Sequence, residues 1–320
     1  MTSATMSDSG PSESDTDPSE LAFPITERDM LGAMEVLSTA AEDADVLMIL
    51  TDEELAGIDG PSANAVLGDP FLSRSGVDRT SSCAAAVRSL AARRLARPRG
   101  EDEETEEPEG DIITGAGELR PLQLDRSLAG VLTLRRIPEA LVIVQRTLAG
   151  GTTVLAEYMF PAGGVLEEYV SIDGFHHFSV PALDDVPSRL ARFVDPFEDA
   201  SEDGEIETIT LPTGEADRLD LFPGARSLAI VTSLGIGEGS QATIVASEGR
   251  VQVLDNGRID TAPAEETGPD AAGVERTEHG LSAVSPETLL GVLIALIPVV
   301  EHDDEESDAM DGSPSGDGGE

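Results

Sequence analysis

At 320 residues the chain is long enough for one large hydrophobic core or two smaller ones. It carries 63 acidic residues against 20 basic ones, all arginine, for a net charge of −43. That balance argues against general binding to nucleic-acid phosphates or to an anionic membrane surface. A single cysteine, Cys83, excludes a disulfide framework or a cysteine-based zinc site within one chain.

Residues 1–20 are mostly Ser, Asp, Pro and Thr, lack the basic and apolar stretches of a secretory leader, and read as a disordered acidic tail. Thr26 stands three residues before Asp29 and ahead of Met30, Leu31, Met34 and Leu37, which predicts a capped amphipathic helix. Residues 45–50 fit a buried strand or an extension of that helix packing. Thr51 and Glu54 repeat the capping pattern and predict a short helix over 52–57, and 58–76 reads as loop. The clearest helix is 79–97: it is alanine-rich, Ser81 or Ser82 can cap it, and Pro98 and Gly100 stop it. Val87, Leu90 and Leu95 are expected to face the core, with Cys83 in line as a small buried hydrophobe. An acidic loop at 101–117 and an amphipathic helix over 122–136, ended by Pro138, complete a mainly helical N-terminal part at 21–136.

The second half repeats one order of signals. Residues 139–197 and 226–298 each run through three or four strand-like segments into a Pro-marked apolar helix. Pro187 and Pro286 are 99 apart whereas Ile143 and Ile230 are 87 apart, and the polar loop 260–278 absorbs the difference. The expected division is a first meander-helix unit at 137–197, an acidic connector at 198–225 with a strand-like run at 206–211, a second unit at 226–300, and a disordered acidic tail at 301–320. The fold class expected is α+β, with a helical N-terminal part followed by a pseudo-duplicated antiparallel β-meander-plus-helix unit. The longest apolar run, Leu289–Val300, is too short to span a bilayer, and the chain reads as a soluble cytoplasmic protein.

Little in the sequence carries chemistry. His176 and His177 are neighbours in a strand and point to opposite faces, so they do not easily share a metal, and only His279 and His302 remain. Gly235, Gly237 and Gly239 lack the lysine of a phosphate loop and read as a hairpin turn, and Asp255-Asn256-Gly257 reads as a second tight turn. No nucleophile elbow is present. The expectation is a protein without catalytic, cofactor-binding or metal residues, and not an enzyme. The local exception is a run of arginines: Arg79, Arg88, Arg93, Arg94, Arg97 and Arg99, with no acid from Thr80 to Gly100. A helix followed by a hairpin resembles a winged-helix reader, so Arg88, Arg93, Arg94 and Arg97 are the nucleic-acid contacts of an alternative, transcription-regulator reading. Against it, eight of the eleven residues 101–111 in the would-be wing are acidic. Those arginines equally fit a solvated face or pairs with that acidic loop.

The overall order is similar to the EspG family, cytosolic chaperones of type VII secretion in actinobacteria. The similar residues are Ser89-Leu90-Ala91-Ala92-Arg93-Arg94-Leu95, then Gly249-Arg250-Val251-Gln252-Val253 with Asn256-Gly257-Arg258, and the helix start Ser285-Pro286-Glu287-Thr288-Leu289-Leu290. These 21 residues carry the resemblance, and the long acidic loops and absence of Trp depart from the family. The resemblance implies a pseudo-twofold α/β structure and a chaperone or adaptor that holds the helical tip of a small secreted partner. It carries no substrate-binding residue across.

Overall fold

Thr26 and Asp29 open the first helix in the way their spacing predicts. The Thr26 N–H donates to the Asp29 carboxylate at 3.0 Å, and the Asp29 N–H donates back to Thr26 Oγ1 at 3.3 Å. The computed structural model describes residues 23–99, 109–115, 118–212, 219–237, 239–259 and 276–298. The tails expected at 1–20 and 301–320, the acidic run 101–108 and most of the polar loop 260–278 lie outside the described residues. The chain divides into two units, one of residues up to Glu35 with Leu50–Thr133, the other of Val36–Ile49 with the residues from Leu134 onward.

The first unit begins with β1 (Ile25–Thr26) and α1 (Glu27–Leu37). The buried face of α1 is Gly32, Ala33 and Val36, while Leu31 and Met34 of the expected apolar stripe are exposed. Small residues are buried here because α1 crosses α4 (Arg126–Leu134) backbone to backbone. A Cβ added to Gly130 would lie 2.4 Å from the Gly32 carbonyl carbon, and one added to Gly32 would lie 2.4 Å from the Arg126 carbonyl oxygen. Between them in the chain come β2 (Met48–Thr51), whose first two residues belong to the second unit, and α2 (Asp52–Asp59). The segment 45–50 is thus mostly exposed, with only Leu50 fully buried. Thr51 and Glu54 form the predicted capping box. Thr51→Ala removes the cap and is expected to lower stability by about 1 kcal/mol, read as a shifted urea midpoint at unchanged slope; no shift would mean that the cap is dispensable.

Helix α3 (Arg79–Ala92) corrects two expectations. Its cap is Asp78, whose carboxylate accepts the Ser81 N–H at 3.0 Å, so neither Ser81 nor Ser82 caps it. It also ends well before Pro98. The Leu95 N–H bonds the Leu90 carbonyl at 2.9 Å and the Arg94 N–H bonds the Ala91 carbonyl at 3.0 Å. That is a Schellman closure, with Arg94 at φ 63° in the left-handed position that glycine usually fills. Leu90 is fully buried, whereas Val87, Leu95 and Cys83 are only half-buried. The chain then enters β3 (Ala96–Pro98), passes β4 (Ile112–Thr114), which pairs with β1, and returns as β5 (Leu122–Leu124) alongside β3. The single helix expected over 122–136 is therefore a strand followed by a shorter helix. Asp125 separates them, its carboxylate accepting the Ser127 N–H at 3.0 Å at the start of α4.

The second unit carries β6 (Ala140–Leu148), β7 (Gly151–Met159), β8 (Val165–Val170), β9 (Phe175–Ser179) and α5 (Val186–Val194). After β10 (Ile206–Pro212) come β11 (Ala225–Leu234), β12 (Gly239–Ser247), β13 (Arg250–Ile259), β14 (Arg276–Val284) and α6 (Pro286–Leu296). One mostly antiparallel sheet takes them in the order β10-β14-β13-β12-β11-β6-β7-β8-β9-β2, so the chain is an α+β protein. The seam is the β11–β6 pair, running from Ser227 opposite Leu148 to Leu234 opposite Leu141. At one edge, the Leu47 N–H bonds the Phe178 carbonyl at 2.8 Å.

Period-two alternation sends Val142, Val144, Leu155, Ala229, Val231, Ile244 and Val253 to one face, where Val186, Leu190 and Phe193 of α5 and Leu289 and Leu293 of α6 cover them. On the opposite face of the β11–β14 part, Leu228, Val245, Leu254 and Leu281 pack with Phe222. Gly235–Gly237 falls in the turn between β11 and β12. Asp255-Asn256-Gly257, expected as a turn, lies instead within β13. Gln241 opposes Gly257 and Ala242 opposes Asp255, leaving Asn256 as the extra residue of a bulge, with Gly257 at φ 76°. The facing strand continues to Gly239 and offers ladder bonds beyond the bulge, which outweigh a local reversal.

Candidate functional site

Arg88, Arg93, Arg94 and Arg97 are all exposed. They differ in what holds them. Arg93 is ion-paired with Glu54 on α2. The Arg97 Nε donates to Gln123 Oε1 at 2.6 Å across the β3–β5 ribbon. Arg88 and Arg94 have no side-chain ion pair among the described residues. Of the flanking arginines, Arg79 pairs with Asp69, and Arg99 with Glu109 at 2.9 Å, in the acidic segment between β3 and β4.

Arg94 and Arg97 also line a cavity of about 550 Å³ in the first unit, together with Arg28 of α1 and Arg126 of α4. Gln123 and Asp125 are its other polar walls, and Ala91, Ala96 and Leu124 its apolar ones. Arg28 and Arg126 give no local signal because Arg28 stands 66 positions before Arg94 and Arg126 stands 29 positions after Arg97. Only the α1–α4 crossing and the β3–β5 pairing bring the four together.

A second feature is the outer face of α6. Helix α5 is strongly amphipathic: Val186, Leu190, Phe193 and Val194 are buried and Ser188 and Arg192 exposed. Helix α6 packs on the same sheet face through Leu289 and Leu293, yet its other sides are apolar too. Ile294 is 52% exposed, Gly291 and Ala295 are exposed and Leu290 is half-buried, while Val292 and Leu296 pack against the core. A helix that is hydrophobic all round ordinarily has cover on every side.

Two clusters of buried titratable groups lie in the second unit. Glu168 accepts from Arg135 Nε at 2.8 Å and from the Tyr158 hydroxyl at 2.7 Å, and faces His176 Nδ1 at 2.6 Å. Burial alone would raise the Glu168 pKa, but the Arg135 charge and the His176 contact hold it at about 2. On the other face of the sheet Glu167 is bonded to Arg189 and Ser179. Its cross-strand neighbour Glu157 is fully buried, and burial, then the Glu167 carboxylate, pushes its pKa well above the ordinary value. His176 and His177 take opposite faces, the first buried and the second half-buried. Burial raises the Cys83 thiol, which disfavours the thiolate. Among the described residues no group of three His, Cys, Asp or Glu side chains could hold a metal ion. Nor is any helix among them long and apolar enough to cross a membrane. No protein-family model matches the chain, and no curated protein matches it.

Proposed function

We propose that this is a non-enzymatic cytoplasmic protein-binding module, a chaperone or adaptor of the kind the EspG resemblance implies. It grips the apolar stripe of a small amphipathic helical partner on the outer face of α6. What supports this reading is the difference between α5 and α6, which occupy matching places after β6–β9 and after β11–β14. One turns Arg192 outward; the other turns Ile294. We take the two strand-helix series as a structural duplication in which one copy has kept a polar outer surface and the other has exchanged it for a contact surface. A partner helix supplies a second apolar layer to α6. With Asp203 and Glu287 at the N-terminal end of α6 and 63 acids in the chain, the flanks of that partner are neutral or basic.

The test is recovery of partners by the tagged protein from native lysate, with and without nuclease, followed by reconstitution with the purified candidate. Nuclease-resistant recovery of a small helical secreted protein is expected. Ile294→Asp is expected to weaken the reconstituted complex by more than tenfold, because a buried charge replaces an apolar contact of about 1.5–3 kcal/mol, with little change in the thermal midpoint of the free protein. Binding that ignores Ile294→Asp would remove α6 from the interface.

The alternative, a winged-helix-like transcriptional regulator, draws support from the exposure of Arg88, Arg93, Arg94 and Arg97. The Arg93–Glu54 pair and the Arg99–Glu109 pair count against it. Under this alternative, DNA is recovered and binding weakens steeply with salt.

A further inference from the structure

We propose that the arginine-lined cavity of the first unit binds a phosphorylated small molecule of about nucleotide size. Four of the chain's 20 arginines, Arg28, Arg94, Arg97 and Arg126, converge on one hollow in a protein of net charge −43. Like charges that gather around one hollow repel one another, and they focus a positive potential there. The one carboxylate in the lining, Asp125, is bonded to the first turn of α4. The one amide, Gln123, already accepts from Arg97. The Arg126 Nε is buried with no hydrogen-bond partner among the described residues, and its guanidinium is otherwise tied to the exposed Glu35 at 3.0 Å.

The backbone supplies an independent observation. Arg94 closes α3 at φ 63°, the left-handed position where glycine is unstrained and an arginine is not. The sequence thus keeps a guanidinium at the cavity wall against local conformational preference. Strain of this kind is characteristic of binding sites. Guanidinium forks match the paired oxygens of phosphate groups, and about 550 Å³ with an apolar wall of Ala91, Ala96 and Leu124 admits a mononucleotide or a sugar phosphate.

Titration calorimetry of the full chain at ~0.1 M salt against pyrophosphate, ATP, adenosine and a short DNA duplex tests this. Pyrophosphate and ATP are expected to bind one per chain and to raise the unfolding midpoint; adenosine is not. Arg94→Gly removes the guanidinium at a position that glycine fills without strain, so the variant folds. That change and Arg97→Gln should each weaken both ligands by about tenfold or more. Arg88→Gln, outside the cavity lining, leaves them unchanged. Failure of both pyrophosphate and ATP to bind overturns the proposal. So does an equal loss in Arg88→Gln, which would mark a diffuse charge effect. Binding of the duplex alone, lost in Arg94→Gly, also overturns it and assigns the arginines to a nucleic-acid backbone.

Discussion

Glu168→Ala is expected to be the most damaging single substitution, lowering stability by about 3–5 kcal/mol. The carboxylate is fully buried and serves three groups at once: Arg135, Tyr158 and His176. Removing it takes the facing carboxylate away from a guanidinium that is itself only 7% exposed. Native domains are stable by only about 5–15 kcal/mol, so a loss of this size moves the urea midpoint far. Tyr158→Phe, which deletes one donor and leaves the ion pair, should lose only about 1 kcal/mol. The same cluster sets an acid limit. The Glu168 pKa is held at about 2, below its unfolded value near 4.5. Its contribution is therefore complete above about pH 5. It is lost as the pH falls from there towards 2. A loss below 1 kcal/mol in Glu168→Ala, or a variant whose acid unfolding coincides with that of the wild type, would refute this role.

Glu157→Met is expected to stabilise the protein at neutral pH by about 1–3 kcal/mol. Neither oxygen of Glu157 has a hydrogen-bond partner among the described residues, and the side chain shares its strand face with Leu155 and Met159 and stands opposite Glu167. Its pKa in the fold is raised well above the ordinary 4.5. The folded state therefore holds a proton that the unfolded chain releases, and stability falls as pH rises above about 4.5. Methionine fills the space without the proton. The advantage of the variant should be large at pH 7.5 and shrink towards pH 4, measured by urea unfolding at both. A variant less stable than wild type at pH 7.5 would mean that the carboxyl has an acceptor or a water not accounted for by its neighbours. The two glutamates have opposite pH slopes, so together they favour a stability maximum in mildly acidic solution.

The local rules were the legible ones. The two capping boxes, at Thr26 and at Thr51, are written in spacings of three residues and formed as read. The strands of both meanders follow from period-two alternation. What failed was decided by partners distant in the sequence. Asn256-Gly257 carries the chemistry of a turn, but a facing strand that runs on to Gly239 made it a bulge. Leu122–Leu124 reads as helix by periodicity, but β3 recruited it as a strand. The cap of α3 is Asp78, one position before Arg79 and outside the alanine-rich segment that signals the helix. Of the cavity, Arg94 and Arg97 were visible as part of an arginine run, whereas Arg28 and Arg126 gave no signal at all. Glu157 did leave one. In a strand whose odd positions include Leu155 and Met159, an acid at 157 is out of phase with solvent, and it was lost among 63 acids.

The order of strands also constrains how the second unit assembles. Within β6–β9, and within β11–β12–β13, each strand pairs with the next in the chain, so these ladders close by short loops. The seam does not: Leu148 must find Ser227, and Leu141 must find Leu234, across 79 and 93 residues. Bringing such distant segments together costs chain entropy before any contact is gained. The meanders should therefore form first and independently, with the β6–β11 ladder as the late, rate-determining event. In pulse-labelled hydrogen exchange, amides bonded between β7 and β8 should become protected before those that bridge β6 and β11. A chain cut between Asp203 and Leu219 should still recombine from two separately ordered halves.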